Sequence, residues 1–225
     1  MKKYAVIVAA GTGSRMNSNI PKQFLQIKNK PLLFYSIDVF FKAYNDLQII
    51  LVLPKDHISS GLQIVHKYFD SSRITICSGG ITRFHSVQNG LRLIENESII
   101  FVHDGVRCLL TKDLIERCYS KAKTSGSAIP VVTSKDSVRL LTIDGHSPVD
   151  RNTVKLVQTP QTFHSKILLA AFKMEYKEEF TDEATVVEAF GIKVNLIEGE
   201  ENNIKVTEPD DMFIAEQLIK NSASI

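Results

Sequence analysis

Two glycines and two cations follow the first apolar segment of the chain. The run Tyr4–Ala9 leads into a loop over residues 10–13, and Arg15 and Lys22 come next. Because glycine has no Cβ, such a loop lets several backbone N–H groups approach a phosphate. Arg15 and Lys22 add positive charge along a connection that could wrap a triphosphate. A tight turn carrying basic surface residues is an equally good interpretation of this segment taken alone.

A second glycine pair, Gly79-Gly80, stands between a predicted strand and a predicted helix. Thr82 could cap that helix, Arg83 falls in its first turn and Ser86 offers a hydroxyl one turn further on. These groups could border a base or a ribose. In isolation, a plain strand-to-helix turn is the better interpretation, because helix caps are far commoner than nucleoside pockets.

Asp104 ends a hydrophobic segment and precedes Gly105-Val106-Arg107. A carboxylate at this place is costly if it is buried without a partner. It is therefore a candidate ligand for Mg²⁺, which needs few carboxylates when substrate phosphates complete its shell, or for a ribose hydroxyl. The alternative is a surface ion pair between Asp104 and Arg107. We expect the neighbouring His103 to be structural.

Side chains that suit a phosphate or a polyol recur in the second half of the chain. Arg151 ends a predicted hairpin, Thr159 follows a predicted strand, and Thr181 is a plausible cap for a helix at 182–189. Lys205 lies near a short predicted strand before the last helix. Each of these residues, considered alone, is also ordinary capping or surface chemistry.

Short apolar runs alternate with longer amphipathic ones up to about Val132. This alternation predicts an α/β fold with a mostly parallel twisted sheet flanked by helices, and ligands at the carboxyl ends of the strands. The glycine loop, Gly79-Gly80 and Asp104 all fall at such ends. The predicted strands are Tyr4–Ala9, Ile49–Leu53, Ile74–Cys77, Ile99–His103 and Ala128–Val132, and the predicted helices are Leu32–Phe41, His57–Tyr68, Arg83–Leu93 and Lys112–Ser125.

The alternation breaks after Val132. Val138–Ile143, the turn Asp144-Gly145 and Pro148–Arg151 predict a hairpin that adds no layer to the core. A protruding arm of this kind, at residues 134–152, often clasps a second subunit. The sheet is predicted to resume at Leu156–Gln158 and Val194–Glu198, and Pro209–Lys220 predicts a last helix. Without a linker or an internal repeat, we expect one domain over residues 1–225.

Composition narrows the class of protein. The 225 residues are 44% hydrophobic, which suits one large core. Basic residues number 27 and acidic residues 25, so the overall charge does not favour binding to nucleic acid or to an anionic membrane. We expect no membrane span and no leader peptide. Three scattered cysteines without CxxC spacing argue against a disulfide framework or structural zinc and favour a cytoplasmic protein.

The ordered set of motifs resembles one family, the 2-C-methyl-D-erythritol 4-phosphate cytidylyltransferases of the non-mevalonate isoprenoid route. From about Tyr4 to Leu218 the resemblance is carried by AAGTGSRM with PKQ, GGITRFHSVQNGL, VHDGVR, PVDRN, QTPQ, FTDEATVVEAFG and NIKVTEPDD. It implies a single Rossmann-like nucleotidyltransferase domain, Mg²⁺ or another divalent cation as cofactor, and CTP and a sugar-alcohol phosphate as substrates. It also implies a homodimer formed through the 134–152 arm.

The resemblance also implies roles for individual residues. Arg15 and Lys22 would hold the triphosphate, and Lys22 with Lys205 would stabilise charge at the α-phosphorus. Asp104 would lie beside the metal and the acceptor. Around the nucleotide would stand Ala10, Gly11, Thr12, Gly13, Gly80, Arg83, Ser86 and Asp104, and around the acceptor Asp104, Arg107, Ser137, Thr159, Thr181 and, from the partner subunit, Arg151.

Three positions depart from the commonest form of the family pattern: Ile81, Cys108 and Ser137. Two other functions stay open. The nearer is cytidylyl transfer to ribitol 5-phosphate or a related pentitol phosphate. The more distant is a dinucleotide-binding oxidoreductase or a non-catalytic nucleotide-binding module. Against the oxidoreductase stands Met16, which occupies the third glycine position of the dinucleotide fingerprint.

Overall fold

The computed structural model describes residues 1–11 and 20–222. The strands are β1 (Lys2–Val8), β2 (Gln26–Ile27), β3 (Lys30–Pro31), β4 (Leu47–Leu53), β5 (Ile74–Ser78), β6 (Ser98–Asp104), β7 (Ser127–Thr133), β8 (Val138–Thr142), β9 (Gly145–Val149), β10 (Lys155–Val157), β11 (Gln161–His164) and β12 (Leu196–Glu198). The helices are α1 (Leu32–Ala43), α2 (Ile58–Tyr68), α3 (Arg83–Leu91), α4 (Lys112–Ser125), α5 (Ser165–Ala171), α6 (Glu183–Ala189) and α7 (Pro209–Ser222).

Within the described residues, eight strands form one sheet in the order β10-β7-β11-β6-β1-β4-β5, with β12 pairing β7. Strand β1 lies parallel to both β4 and β6, and β4 is parallel to β5. Strand β11 is antiparallel to β6 and β7 and lies between them, and β10 is antiparallel to β7. The carboxyl ends of β1, β4, β5 and β6 therefore meet at one edge of the sheet.

Alternating apolar side chains cover both faces of the sheet. In β1, Ala5 and Ile7 belong to the core cluster that includes Phe40 of α1 and Leu114 of α4. Val6 faces the opposite side, in the cluster with residues of α3, α5 and α6. All seven residues of β6 are buried, because this strand has neighbours in the sheet and helices on both faces. The predicted α/β architecture is confirmed.

Sequence reasoning missed the two-residue strands β2 and β3, the strand β11 and the helix that follows it, α5. Segment Gln161–His164 has four residues of mixed polarity, so its own pattern carries no strand signal. It becomes a strand because β6 and β7 pair with it on both sides. Thr181 as a helix cap was also wrong. Asp182 caps α6: its carboxylate accepts from the backbone N–H of Thr185 at 2.9 Å, and the Thr185 hydroxyl binds the Asp182 backbone in return.

Strands β8 and β9 form a separate two-stranded hairpin, with Val138 opposite Val149 and Thr142 opposite Gly145. The predicted arm is therefore present in the fold. Its tip carries apolar side chains in solvent: Leu141 is 81% exposed and Ile143 is 100% exposed. None of the helices in the described part of the chain is long and apolar enough to cross a membrane.

Candidate active site

A cleft of about 420 Å³ opens at the carboxyl edge of the sheet. It lies between the end of β1, the β5–α3 loop, the end of β6 and the extended segment before α7. The described residues that line it are Val8, Ala9, Ala10, Gly11, Lys22, Gln23, Gly80, Ile81, Thr82, Arg83, Ser86, Asp104, Val106 and Lys205. Ligands of parallel α/β sheets bind at this edge, so the cleft is the natural place for a substrate.

The segment that carries Lys22 is fixed by Gln23. The buried Gln23 amide donates to the carbonyl of Ala9 at 2.7 Å and to that of Gly11 at 3.3 Å, which ties a short 3-10 helix to the end of β1. The Lys22 ammonium donates to the carbonyl of Val206 at 3.2 Å. Lys22 and Lys205, from opposite ends of the chain, therefore line the same cleft.

The β5–α3 loop requires both of its glycines. A Cβ on Gly79 would stand 2.4 Å from the Cβ of Ala10, and a Cβ on Gly80 would stand 2.4 Å from the Cβ of His85. Ser86 closes the turn: its hydroxyl donates to the carbonyl of Thr82 at 2.9 Å and accepts from the N–H of Gly80 at 3.1 Å. The strand-to-helix turn predicted from the sequence is therefore present. It also places the Gly80 backbone at the wall of the cleft.

Asp104, the last residue of β6, is buried among three cations. Its Oδ1 accepts from Nε of Arg83 at 3.2 Å, and its Oδ2 lies 2.9 Å from Nζ of Lys205 and 3.9 Å from Nε of Arg107. Burial alone would raise the pKa of Asp104, but the charges of Arg83 and Lys205 outweigh burial and hold that pKa well below its usual range. The carboxylate is ionised at neutral pH. A surface pair with Arg107 is the wrong interpretation, because both side chains are buried.

A second cavity, of about 210 Å³, shares a wall with the cleft. Arg83, Asp104 and Lys205 line both spaces. The smaller cavity is also lined by Arg107, Val157, Gln158, Thr159, Gln161, Thr181 and Asp182. It therefore contains four of the residues predicted to bind the acceptor: Asp104, Arg107, Thr159 and Thr181.

Arg107, which lines this cavity, has one buried nitrogen without a hydrogen bond. Its Nη1 donates to the carbonyl of Asn203 at 2.6 Å and its Nη2 to that of Val157 at 3.4 Å, while Nε is buried without a hydrogen-bond partner. Burial lowers the pKa of Arg107, although Asp104 opposes that shift. Because Arg107 lines the smaller cavity with a positively charged guanidinium, it suits an anionic ligand there.

Thr159 is oriented by the buried His103. The Nε2 of His103 lies 3.3 Å from the carbonyl of Arg107, which can only accept, so Nε2 carries the proton. Its Nδ1 then accepts from the Thr159 hydroxyl at 3.0 Å, and this hydroxyl accepts from the N–H of Asp104 at 3.1 Å. One lone pair of the Thr159 oxygen is left for a donor in the cavity.

The sequence model of 2-C-methyl-D-erythritol 4-phosphate cytidylyltransferase matches residues 4–221. The chain belongs to this family. The 2-C-methyl-D-erythritol 4-phosphate cytidylyltransferase of Phocaeicola vulgatus is 44% identical over 219 residues, covering 97% of this chain and 100% of the relative. That of Porphyromonas gingivalis is 40% identical and covers 97% and 98%.

The fold of this chain also agrees with solved structures of cytidylyltransferases. The 4-diphosphocytidyl-2C-methyl-D-erythritol synthase of Anaerococcus prevotii has a TM-score of 0.84 at 28% identity, with 97% of this chain and 96% of that chain covered. The 2-C-methyl-D-erythritol 4-phosphate cytidylyltransferase of Thermus thermophilus has a TM-score of 0.76 at 28% identity, with 98% and 100% covered. The resemblance predicted from the motifs is confirmed.

Several predicted residues lie away from the two cavities. Arg151 sits at the base of the arm, where its Nη1 donates to the carbonyl of Lys135 at 2.9 Å. Ser137 is exposed near the start of β8 and lines neither cavity. Neither residue of this cytidylyltransferase lines the acceptor cavity of its own chain. Thr12, Gly13 and Arg15 lie outside the described residues, so their predicted roles stay predictions.

Sequence reasoning missed Glu183, Gln23 and Asn203, which hold the cationic residues of this cytidylyltransferase in place. Glu183 binds Arg83, Gln23 anchors the Lys22 segment, and the Asn203 carbonyl receives Arg107. All three stand in motifs shared with the family: Gln23 in PKQ, Glu183 in FTDEATVVEAFG and Asn203 in NIKVTEPDD. Their partners are nevertheless set by tertiary contact, which the motifs do not show.

A covalent nucleophile has no support in this site. Burial raises the pKa of the Cys108 thiol to about 12, and the side chain is 6% exposed within an apolar cluster. A thiolate is therefore scarce at neutral pH. His103, also buried, has its pKa lowered by burial to about 4 and stays neutral, which fits the structural role expected for it.

The donor set suits a metal that takes a single protein carboxylate. Asp104 is the acidic residue among the described lining residues of the cleft, and the described residues contain no cluster of three or more His, Cys, Asp or Glu side chains. Mg²⁺ commonly binds one or two carboxylates and fills its octahedron with phosphate oxygens and water. Asp104 is ionised, and each of its oxygens has a lone pair beyond those used by Arg83 and Lys205.

Proposed function

We propose that this protein transfers CMP from CTP to 2-C-methyl-D-erythritol 4-phosphate and releases pyrophosphate. The observation that carries the proposal is the common wall of the two cavities. A nucleotide in the cleft and a polyol phosphate in the smaller cavity would meet at Asp104 and Lys205. The family to which the chain belongs gives the identity of the two substrates.

The cleft has the groups that a nucleoside triphosphate needs. Ala10, Gly11, Gly80 and Ser86 line the space for the base and ribose, and the Ser86 hydroxyl holds the Gly80 backbone by accepting from its N–H. Lys22 lines the same cleft, where it would bind phosphate oxygens. Arg15 would add a second cation to the triphosphate.

The acceptor would bind with its phosphate towards Arg107 and its hydroxyls towards Thr159 and Thr181. One of its phosphate oxygens then attacks the α-phosphorus of CTP in line, and pyrophosphate leaves from the opposite side. A phosphate oxygen is already deprotonated at neutral pH, so the reaction needs no general base. Positioning and neutralisation of charge are the main contributions of the protein.

Lys205 and Lys22 would stabilise the charge that develops around the α-phosphorus. The Lys205 ammonium lies 2.9 Å from Asp104 and borders both cavities, so it can contact the attacking and the transferred groups. Asp104 would also hold Mg²⁺. When bound, this ion would neutralise phosphate charge and favour departure of pyrophosphate.

We propose further that the active unit is a homodimer in which the arm brings Arg151 to the partner's acceptor cavity. Apolar side chains at the tip of the arm, including the fully exposed Ile143, are typical of a surface that another chain covers. Arg151 lies at the base of the same arm and contacts neither cavity of its own chain. A partner subunit would complete the set of groups around the acceptor phosphate.

Pyrophosphate release from purified protein tests the function. CTP with 2-C-methyl-D-erythritol 4-phosphate should give steady turnover, whereas ATP, GTP and UTP should give little. Ribitol 5-phosphate serves as the competing acceptor. Faster turnover with ribitol 5-phosphate would replace the proposed acceptor, and NADH binding without any CTP-dependent release of pyrophosphate would refute cytidylyl transfer altogether.

A further inference from the structure

Glu183 is a buried charge that lies outside both cavities. Its side chain is 1% exposed, in the first turn of α6, and it does not line the cleft or the acceptor cavity. A carboxylate in such a place is unfavourable unless a partner holds it. Its partner is Arg83, which does line both cavities.

The Arg83 guanidinium joins two carboxylates with its two edges. Nη1 and Nη2 donate to Oε1 and Oε2 of Glu183 at 2.5 and 3.1 Å, in a bidentate pair. Nε donates to Oδ1 of Asp104 at 3.2 Å. Because the guanidinium is planar and rigid, Glu183 sets the direction from which Arg83 approaches Asp104.

We propose that Glu183 is a positioning residue for the transfer reaction. By holding the outer edge of the Arg83 guanidinium, it fixes the Asp104 carboxylate and thereby the Lys205 ammonium between the two substrates. The inference rests on the proposed function, because that function makes Lys205 the group that stabilises charge at the α-phosphorus.

Arg83 must be restrained because it shares the Asp104 carboxylate with Lys205. One carboxylate oxygen receives Arg83, and the other receives Lys205 at 2.9 Å. Without Glu183, Arg83 would lose the contact that holds its two Nη groups and could rotate into a bidentate pair with Asp104, an arrangement that arginine favours. Arg83 would then share Oδ2 with Lys205, and the like charge brought next to the ammonium would weaken the contact of Lys205 with Asp104.

Glu183 also sets the charge of the cluster. Arg83, Arg107 and Lys205 surround Asp104, so the two carboxylates leave one net positive charge among these five groups. Loss of the Glu183 charge would raise the net charge of these five groups from one positive charge to two. The three cations would then compete for a single carboxylate, which displaces Lys205, the most exposed of them at 40%.

The anchor itself is rigid. The Gln161 amide donates to Oδ2 of Asp182 at 2.8 Å and accepts from the N–H of Ala184 at 2.8 Å, so β11 holds the side chain before Glu183 and the backbone after it. Together with the capping box of Asp182, these bonds prevent Glu183 from following a displaced arginine. Rigid support of this kind is what holds reacting groups in productive geometry.

The test compares Glu183→Gln with Glu188→Gln, a substitution that removes the same charge from an exposed position of the same helix. With CTP and 2-C-methyl-D-erythritol 4-phosphate, Glu183→Gln should lower kcat at least about tenfold while the KM for CTP changes less than threefold. Glu188→Gln should behave as wild type. Rates are referred to the folded fraction measured by thermal unfolding.

Arg83→Gln and the double variant separate positioning from simple stability. If Glu183 acts through Arg83, the double variant should lose no more kcat than Arg83→Gln alone. Losses that multiply, or a Glu183→Gln kcat within twofold of Glu188→Gln, would overturn the inference. Should Glu183→Gln fail to fold, Glu183→Asp decides, because it keeps the charge but withdraws it from Arg83 and should still lower kcat.

The same assays keep the two proposals apart. Wild-type protein that transfers no CMP would refute the proposed function. Wild-type protein that turns over normally, beside a Glu183→Gln variant that matches its control, would refute only the role of Glu183.

Discussion

The Lys22 ammonium donates a hydrogen bond to the carbonyl of Val206, 184 residues further along the chain, at 3.2 Å. Val206 is buried in a cluster with Val106, and its N–H donates to the Val106 carbonyl at 3.1 Å. The segment before α7 is thereby tied to the loop after β6. Lys205 is held beside Lys22 by these contacts, and its ammonium faces Asp104.

Removal of either lysine should impair the chemical step. We expect Lys22→Ala and Lys205→Ala each to lower kcat by about a hundredfold or more, comparable to the loss of one preorganised charge-stabilising donor. The fold should remain, as judged by circular dichroism and thermal unfolding. Lys193→Ala, at an exposed site, is the control. Near-normal turnover in both variants would remove the proposed transition-state role.

Arg107→Gln should weaken binding of the acceptor and spare the nucleotide. Arg107 lines the smaller cavity, so loss of the guanidinium removes a positive charge that would bind the acceptor phosphate. The KM for 2-C-methyl-D-erythritol 4-phosphate should rise about tenfold or more, with the KM for CTP within threefold of wild type. An equal rise in both KM values would contradict separate binding sites.

Arg151→Ala tests the shared acceptor site. The variant alone should show a raised KM for the acceptor. Mixing it with Lys22→Ala, after exchange of subunits, should restore activity, because one site of each mixed dimer then has Lys22 from one chain and Arg151 from the other. Each variant incubated alone under the same conditions is the control. Absence of rescue in verified mixed dimers would argue that Arg151 does not act across an interface.

Stability should fall with acidity because of His103. Burial lowers its pKa from 6.5 to about 4, so the unfolded chain binds a proton that the folded protein excludes between these values. The contribution of His103 to the free energy of unfolding is therefore complete above about pH 6.5 and is lost as the pH falls towards 4. Between pH 7.5 and 5.0, wild type should lose about 2 kcal/mol more unfolding free energy than His103→Gln.

Urea unfolding at the two pH values gives this measurement. His66→Gln, on the exposed side of α2, is the matched control and should keep the pH dependence of wild type. Equal acid sensitivity of wild type and His103→Gln would mean that His103 does not carry the effect.

Local sequence patterns predicted most of the strands and helices of the central sheet and its flanking layers. Strands β1, β4, β5, β6 and β7 and helices α1 to α4 lie within a few residues of the predicted bounds, because each has a strong apolar period of its own. Strand β11 lacked such a period and depended on its neighbours. Placement of Gly80 and Asp104 at one edge followed from the rule that parallel strands end together.

Residue order and local periodicity were enough to specify the alternating α/β frame, the protruding hairpin and the family. Which charged side chains meet depends on the packing of distant segments. Arg83 and Glu183 are 100 positions apart and Lys22 and Val206 are 184 apart. No local pattern encodes such pairs, because the low pKa of Asp104 and the orientation of Lys205 arise from packing that exists only after the sheet has formed.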